Sequence, residues 1–177
     1  MICSAPTLET ERLLLRQYDR EDLDAYAAMM ADLEIVRHLG GQPMSREDSW
    51  RKLMMVLGQW AILGYGYWAV ELKASGRTVG QLGFCDFNRS MTPDISGQPE
   101  MGWIFDRSVQ GQGIAFEAGK RALDWVQAEL GPVDVPAIIA LENIPSIKLA
   151  ERLGFVRHPN GIYHDEPIGI FRRPASA

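Results

Sequence analysis

The chain has 177 residues, 46% hydrophobic and 23% charged, and carries a net charge of −5 from 23 acidic and 18 basic residues. That length and composition describe one globular domain around a single core and exclude a disordered chain. The acidic balance, with no basic run beyond Arg172-Arg173, argues against nucleic acid as a primary partner, and no stretch approaches the ~18 apolar residues of a membrane span.

Cys3 and Cys85 have neither disulfide nor metal-ligand spacing; they read as a surface thiol and a small buried hydrophobe. The N-terminus lacks a basic region followed by an apolar one, so a soluble, cytoplasmic protein is expected.

In chain order, residues 8–17 carry Leu13, Leu14 and Leu15 among charges and read as a first strand. Asp19, with Asp22 three positions on, caps a helix over about 20–30 whose Leu23, Tyr26, Ala27 and Met30 recur at helical spacing. Residues 19–34 hold six acids (Asp19, Glu21, Asp22, Asp24, Asp32, Glu34) against one base, Arg20. They form either an acidic rim for a cationic substrate or a solvated face, the plainer reading. Ser45 and Asp48 open a helix over about 46–63, with Trp50, Leu53, Met54, Leu57, Trp60 and Ala61 on one face, and Gly64-Tyr-Gly-Tyr67 stops it.

Residues 68–72 and 79–87 then form an antiparallel hairpin, and a polar loop with Pro93, Gly97 and Pro99 leads to a further strand at 100–105. Gly111 and Gly113 open a helix reaching about Leu130. Its buried side is Ala118, Ala122, Trp125 and Val126, and its wet side is Glu117, Lys120, Arg121 and Asp124; Glu117 and Arg121 are spaced for an i,i+4 pair. Strand 137–141 follows Pro136. Asn143 caps a short helix with Pro145 in its first turn and Gly154 at its end, and strands at 155–157 and 168–172 finish the chain. The result is one mixed α/β domain over 1–177, with its core at about 7–173. It is largely antiparallel in front, with a β-α-β-α centre. Trp50, Trp60, Tyr65, Tyr67 and Trp68 either line an acceptor groove or, the plainer reading, belong to the core.

Strand 100–105, a short turn and the glycine-rich start of a helix make an anion cradle from Gln110 to Ala115. Glycine permits positive φ and close approach, and the unpaired N–H groups of a helix start point at the ligand. Gly113 is expected where a side chain would block a phosphate. The pattern is not a Walker loop, because Gly-Lys-Ser/Thr is missing, nor a dinucleotide fingerprint, because the third glycine is absent.

A second motif runs from Asn143 through Ser146 and Ala150 to Glu151-Arg-Leu-Gly-Phe155. Taken together, Glu100-Met-Gly-Trp103, Gln110-x-x-Gly113-x-Ala115, Asn143-x-x-Ser146 and Glu151 to Phe155 resemble the GNAT N-acetyltransferases. The opening run Leu8-Glu-Thr-Glu-Arg-Leu-Leu-Leu-Arg16 and Gly64-Tyr-Gly-Tyr-Trp68 are similar to the branch that acetylates ribosomal-protein N-termini (RimJ/RimL-like). The resemblance covers about residues 7–173.

It implies the GNAT acyl-CoA N-acyltransferase fold: a mixed, mostly antiparallel sheet with helices on both faces and two central strands that splay apart. It implies acetyl-CoA as cosubstrate, its pantetheine arm along the backbone of Trp103, Ile104 and Phe105. Its diphosphate would lie on Gln110, Gly111, Gln112, Gly113, Ile114 and Ala115, with Asn143 across the split. No metal is implied, and His38, His158 and His164 are scattered outside the motifs.

The chemistry is attack by a neutral amine on a thioester carbonyl. An amine of pKa ~10 must lose a proton, and Glu100 is the candidate base, through a water; the alternative is a solvated strand-edge glutamate. A backbone N–H around Trp103 to Phe105 would meet the charge developing on the carbonyl oxygen. Many family members protonate the leaving thiolate with a tyrosine where this chain has Ala150. Ser146, one turn earlier, is the substitute, with helix capping as its alternative role.

The acceptor is an amine, of a protein N-terminus or of a metabolite or antibiotic. A non-catalytic CoA-binding module and a phosphate-binding regulator are the readings from other classes. Loops 31–45, 88–98 and 157–166 are expected to contact the acceptor without a legible code, and the oligomeric state, monomer or homodimer, is not encoded in any motif.

Overall fold

A computed structural model describes residues 4–175, which leaves Cys3 outside the described chain. Two sheets adjoin. The first has the order β1 (Leu8–Glu9), β2 (Leu13–Arg16), β3 (Tyr67–Leu72), β4 (Arg77–Cys85) and β6 (Glu100–Phe105), all antiparallel. The second runs β5 (Met91–Thr92), β9 (Gly161–Tyr163), β10 (Glu166–Arg173) and β7 (Val135–Ile139), with β8 (Val156–Arg157) paired to β10. β6 ends one sheet and β7 ends the other, so the two lie side by side without a shared ladder. This is the expected splay.

Helices cover both faces. α1 (Leu23–Ala31), α2 (Leu33–Val36) and α3 (Arg46–Leu63) lie on one, with Tyr26, Met30, Leu53 and Val56 packed beside Tyr67, Ala69 and Cys85. On the other, α4 (Ile114–Leu130) buries Ala118, Ala122, Trp125 and Val126 against Trp68, Val70, Leu82 and Phe84. Trp60, Trp68 and Trp125 meet edge to face, with ring centroids 4.7 to 5.5 Å apart, a geometry that suits the aromatic quadrupole. α5 (Ile144–Arg152) closes the far side of the split. Among the described residues no helix is long and apolar enough to cross a membrane.

Several expectations are corrected. The first strand is two short ones, because the chain turns at Thr10 to Arg12, where the Thr10 hydroxyl accepts the Leu13 N–H at 2.9 Å. The buried stripe of α3 is Ser49, Leu53, Val56 and Trp60, while Trp50 and Met54 are exposed. Leu53 fixes the helix phase toward α1, which turns Trp50 and Met54 outward. Glu117 does not pair with Arg121; it is drawn across to the β1–β2 turn, where Arg12 takes it at 2.6 Å.

The acidic stretch is largely structural. Asp19 and Asp22 form a reciprocal capping box, Asp24 pairs with Arg46, and Glu34 with Arg37. Asp22 is 4% exposed and sits in the fork of Arg16, with contacts of 2.7 and 2.9 Å, while the Thr78 hydroxyl donates to it at 2.5 Å. Arg16 also reaches Glu71 at 2.7 Å, so this one side chain ties β2 to β3 and to the start of α1.

Burial opposes the charge on Asp22, yet the Arg16 fork, the Asp19 N–H and the Thr78 hydroxyl hold its carboxyl below the usual range. A depressed carboxyl contributes stability above its unfolded value and loses it as pH falls through the folded one. Asp22→Ala should therefore cost about 2 kcal/mol at pH 7, because it removes the carboxylate from the Arg16 fork and leaves Glu71 as the nearest acid on the guanidinium. Urea unfolding should show the gap to wild type closing below about pH 4.

Candidate active site

After β6, Asp106 caps a single 3-10 turn, Arg107–Val109, by accepting the Ser108 N–H, and the chain then turns into α4. Gly111 and Gly113 have φ of 75° and 77°, values that glycine adopts without a Cβ penalty. Blocked space is not what requires glycine at 113: a Cβ there would meet only Arg12 Nη2 at 3.6 Å, so the demand is conformational. The N–H groups of Gly111, Gly113, Ile114 and Ala115 have no protein acceptor among the described residues. A turn with left-handed glycines running into a helix N-terminus concentrates partial positive charge. The donor set fits an anion such as a diphosphate. Gln110 anchors the turn by donating from Nε2 to the Phe105 carbonyl at 3.3 Å.

Across the split, Asn143 Oδ1 accepts the Ser146 N–H at 3.3 Å and so caps α5. Ser146 Oγ accepts from the indole N–H of Trp103 at 3.2 Å. Two site residues read from separate motifs thus meet across the gap. An indole only donates, so the Ser146 hydroxyl keeps its own proton to give. Ala150, one turn on, is fully buried and brings no hydroxyl to the gap.

Glu100 lies on the α1/α3 face, since its β4 neighbour Cys85 and its β6 neighbour Ile104 both pack there. It is 5% exposed, and Arg89 grips both oxygens, Nε to Oε2 at 2.6 Å and Nη2 to Oε1 at 3.0 Å. Glu100 is therefore not the solvated strand-edge residue of the alternative reading. Burial pushes its carboxyl above the ordinary range, and Arg89 pulls it only part of the way back. Burial also raises the Cys85 thiol to about 11, too high for a neutral-pH nucleophile. The phenol of Tyr67 is likewise pushed up by burial, with Glu100 adding to it. Its oxygen lies 2.1 Å from where a Cβ on Gly102 would sit.

Arg89 donates a third bond to the Tyr163 hydroxyl at 2.8 Å, and its guanidinium lies 4.4 Å from the Phe87 ring centroid and 4.9 Å from that of Tyr163. Loops 88–98 and 157–166 thereby come together along an open cleft of about 660 Å³ lined by Phe87, Arg89, Met91, Ile162 and Tyr163. Arg89 and Tyr163 are absent from the sequence reading. A buried acid calls for a cation, but the sequence offers Arg107 as well as Arg89, and only the fold chooses between them. Among the described residues no three His, Cys, Asp or Glu side chains cluster as metal ligands.

Residues 12–156 match the family model described as acetyltransferase (GNAT) domain. The chain is 28% identical over 150 residues to the uncharacterized N-acetyltransferase p20 of Bacillus licheniformis, covering 84% of this chain and 82% of that protein. An acetyltransferase from Agrobacterium tumefaciens superposes with a TM-score of 0.81 at 28% identity, over 96% of this chain and 94% of that one. The ribosomal-protein-S5-alanine acetyltransferase from Vibrio fischeri superposes at 0.73, over 97% and 98% of the two chains. At 19% identity it shows a shared fold.

Arg89→Met should leave the Glu100 carboxylate buried without its cation, which costs about 3 kcal/mol at neutral pH. The variant raises the folded pKa of Glu100 further, so its stability falls as pH rises through that value. Its deficit should shrink toward pH 4, where the carboxyl takes up a proton. Denaturant melts of both proteins across pH 4–8 check this, and a pH-independent deficit would contradict it.

Proposed function

The chain belongs to the GNAT family of acetyltransferases, and on that premise we propose that it moves the acetyl group of acetyl-CoA onto a protein N-terminal α-amine, in a cytoplasmic ternary complex. The observation that carries this reading is the row of unpaired N–H groups at Gly111, Gly113, Ile114 and Ala115, next to the open edge of β6. Acetyl-CoA supplies an acetyl group activated as a thioester. Gln110 to Ala115 hold the diphosphate. The edge of β6 at Trp103, Ile104 and Phe105 runs along the pantetheine arm and offers an N–H to the carbonyl oxygen as it gains charge. Asn143 borders the arm on the other side.

Glu100 accepts the proton that the amine releases, through a water. Each of its oxygens keeps a lone pair beyond those taken by Arg89, and burial makes it a stronger base than a solvated carboxylate. Ser146 donates to the departing sulfur, its oxygen steadied by Trp103. The carbon–nitrogen bond forms, the carbon–sulfur bond breaks, and the amine proton passes to Glu100.

The runs Leu8 to Arg16 and Gly64 to Trp68, by which the sequence resembles the ribosomal-protein branch, support a protein terminus as acceptor. A small-molecule amine is the second reading, favoured by the cleft beside Arg89 and Tyr163, whose volume of about 660 Å³ suits a metabolite or drug. Mass spectrometry of peptide and amine panels incubated with acetyl-CoA decides between them. Acetylated peptide N-termini are expected, and acetylation confined to small amines would overturn that acceptor. CoA binding without thiol release would leave the non-catalytic module.

Ser146→Ala should lower turnover by about 10²-fold while acetyl-CoA affinity stays near wild type. Equal rates in a DTNB assay would remove Ser146 from the mechanism.

A further inference from the structure

Arg12, in the β1–β2 turn, reaches the glycine-rich turn. Its Nη1 donates to the Gln112 carbonyl at 3.0 Å. The rest of the guanidinium is locked by Glu117, with Nε to Oε2 at 2.7 Å and Nη2 to the same oxygen at 2.6 Å. The other Glu117 oxygen receives the Arg12 N–H at 3.0 Å and the Thr10 hydroxyl at 2.5 Å. Burial works against the charge on Glu117, but these donors hold its carboxyl below the usual range, so the acid stays ionised and the clamp stays shut at neutral pH.

The clamp bears on a single peptide group. Among the described residues the only cis bond is Thr92-Pro93, so the 112–113 peptide is trans and planar, with its C=O and N–H on opposite sides. A guanidinium that holds the Gln112 carbonyl toward Arg12 therefore holds the Gly113 N–H away from it. The Gln112 carbonyl accepts no Phe116 N–H, and α4 begins at Ile114, its first bond running from the Glu117 N–H to the Gly113 carbonyl.

We propose that Arg12, clamped by Glu117 and Thr10, is the positioning residue of the diphosphate cradle: it orients the Gly113 N–H toward the ligand by holding the neighbouring carbonyl away from it. The inference rests on the reading of Gln110 to Ala115 as the diphosphate site. Free turns with two glycines sample many peptide orientations, including those that point a carbonyl at the anion. Arg12 removes those orientations before the ligand arrives, which lowers the ordering cost of binding.

Binding of CoA and of pantetheine, which lacks the diphosphate, to the wild type, Arg12→Met, Arg12→Lys and Glu117→Ala tests it, by calorimetry and by NMR titration. A misdirected amide at an anion should weaken CoA by about 10-fold or more in Arg12→Met and Glu117→Ala, with Arg12→Lys between, and leave pantetheine unchanged. Equal weakening of both probes would make Arg12 a general structural brace and overturn the proposal. Tighter CoA binding by Glu117→Ala would overturn it too, because an arginine freed from its acid would then be a direct phosphate ligand. Wild type that binds no CoA would remove the underlying function as well, a failure distinct from either of these. Circular dichroism of each variant confirms that the comparison is between folded proteins.

Discussion

The seam between β6 and β7 is the constraint on which the rest of the molecule depends. A β-sheet normally satisfies every interior N–H and C=O by pairing, and an unpaired edge inside a protein is costly. Here two strands stand side by side at the centre, each at the end of its own ladder. Trp103 crosses from one wall to Ser146 on the other, so the gap is spanned by a side chain where a ladder would otherwise close it. A ligand with alternating amides, such as a pantetheine arm, can satisfy the open edge in the way another strand would.

Three arginines tie the elements of the two sheets and their helices together. Arg16 joins β2, β3 and the start of α1 through Asp22 and Glu71. Arg12 joins the first turn of the chain to the first turn of α4 through Glu117. Arg89 joins the loop after β4 to the first residue of β6 and to the β9–β10 hairpin through Glu100 and Tyr163. Each is a fork on a sequestered or half-sequestered carboxylate, the arrangement for which guanidinium is better suited than ammonium. Among these ion pairs the longest reaches are Arg12 to Glu117, across 105 positions, and Arg16 to Glu71, across 55.

Much of the fold was legible because its signals are local. The Asp19 and Ser45 caps, the four buried positions of α4 and the Asn143 cap of α5 depend on spacing within a few residues, and they fall where the pattern puts them. The glycine-rich turn was legible for the same reason, although its glycines answer to backbone angle more than to space. Illegible were the contacts that depend on which distant segment arrives. Glu117 looked like a partner for Arg121 because both sit on one helix, yet the residue it binds lies 105 positions earlier. Glu100 was legible as a candidate base or a solvated strand-edge residue, but nothing in the loop before it announces that Arg89 folds back onto it. Trp50 and Met54 share a helical face with Leu53 on paper, but the real face is rotated toward α1.

The contact of Tyr67 with Gly102 has a consequence for how such chains diverge. The phenol oxygen fills the volume that any side chain at 102 would claim, so neither position can vary freely without regard to the other. A relative with alanine or larger at 102 must shorten or tilt the aromatic at 67. The two sites should therefore change in concert across a lineage, and the glycine–tyrosine combination marks those descendants that still carry a hydroxyl at that point on β6.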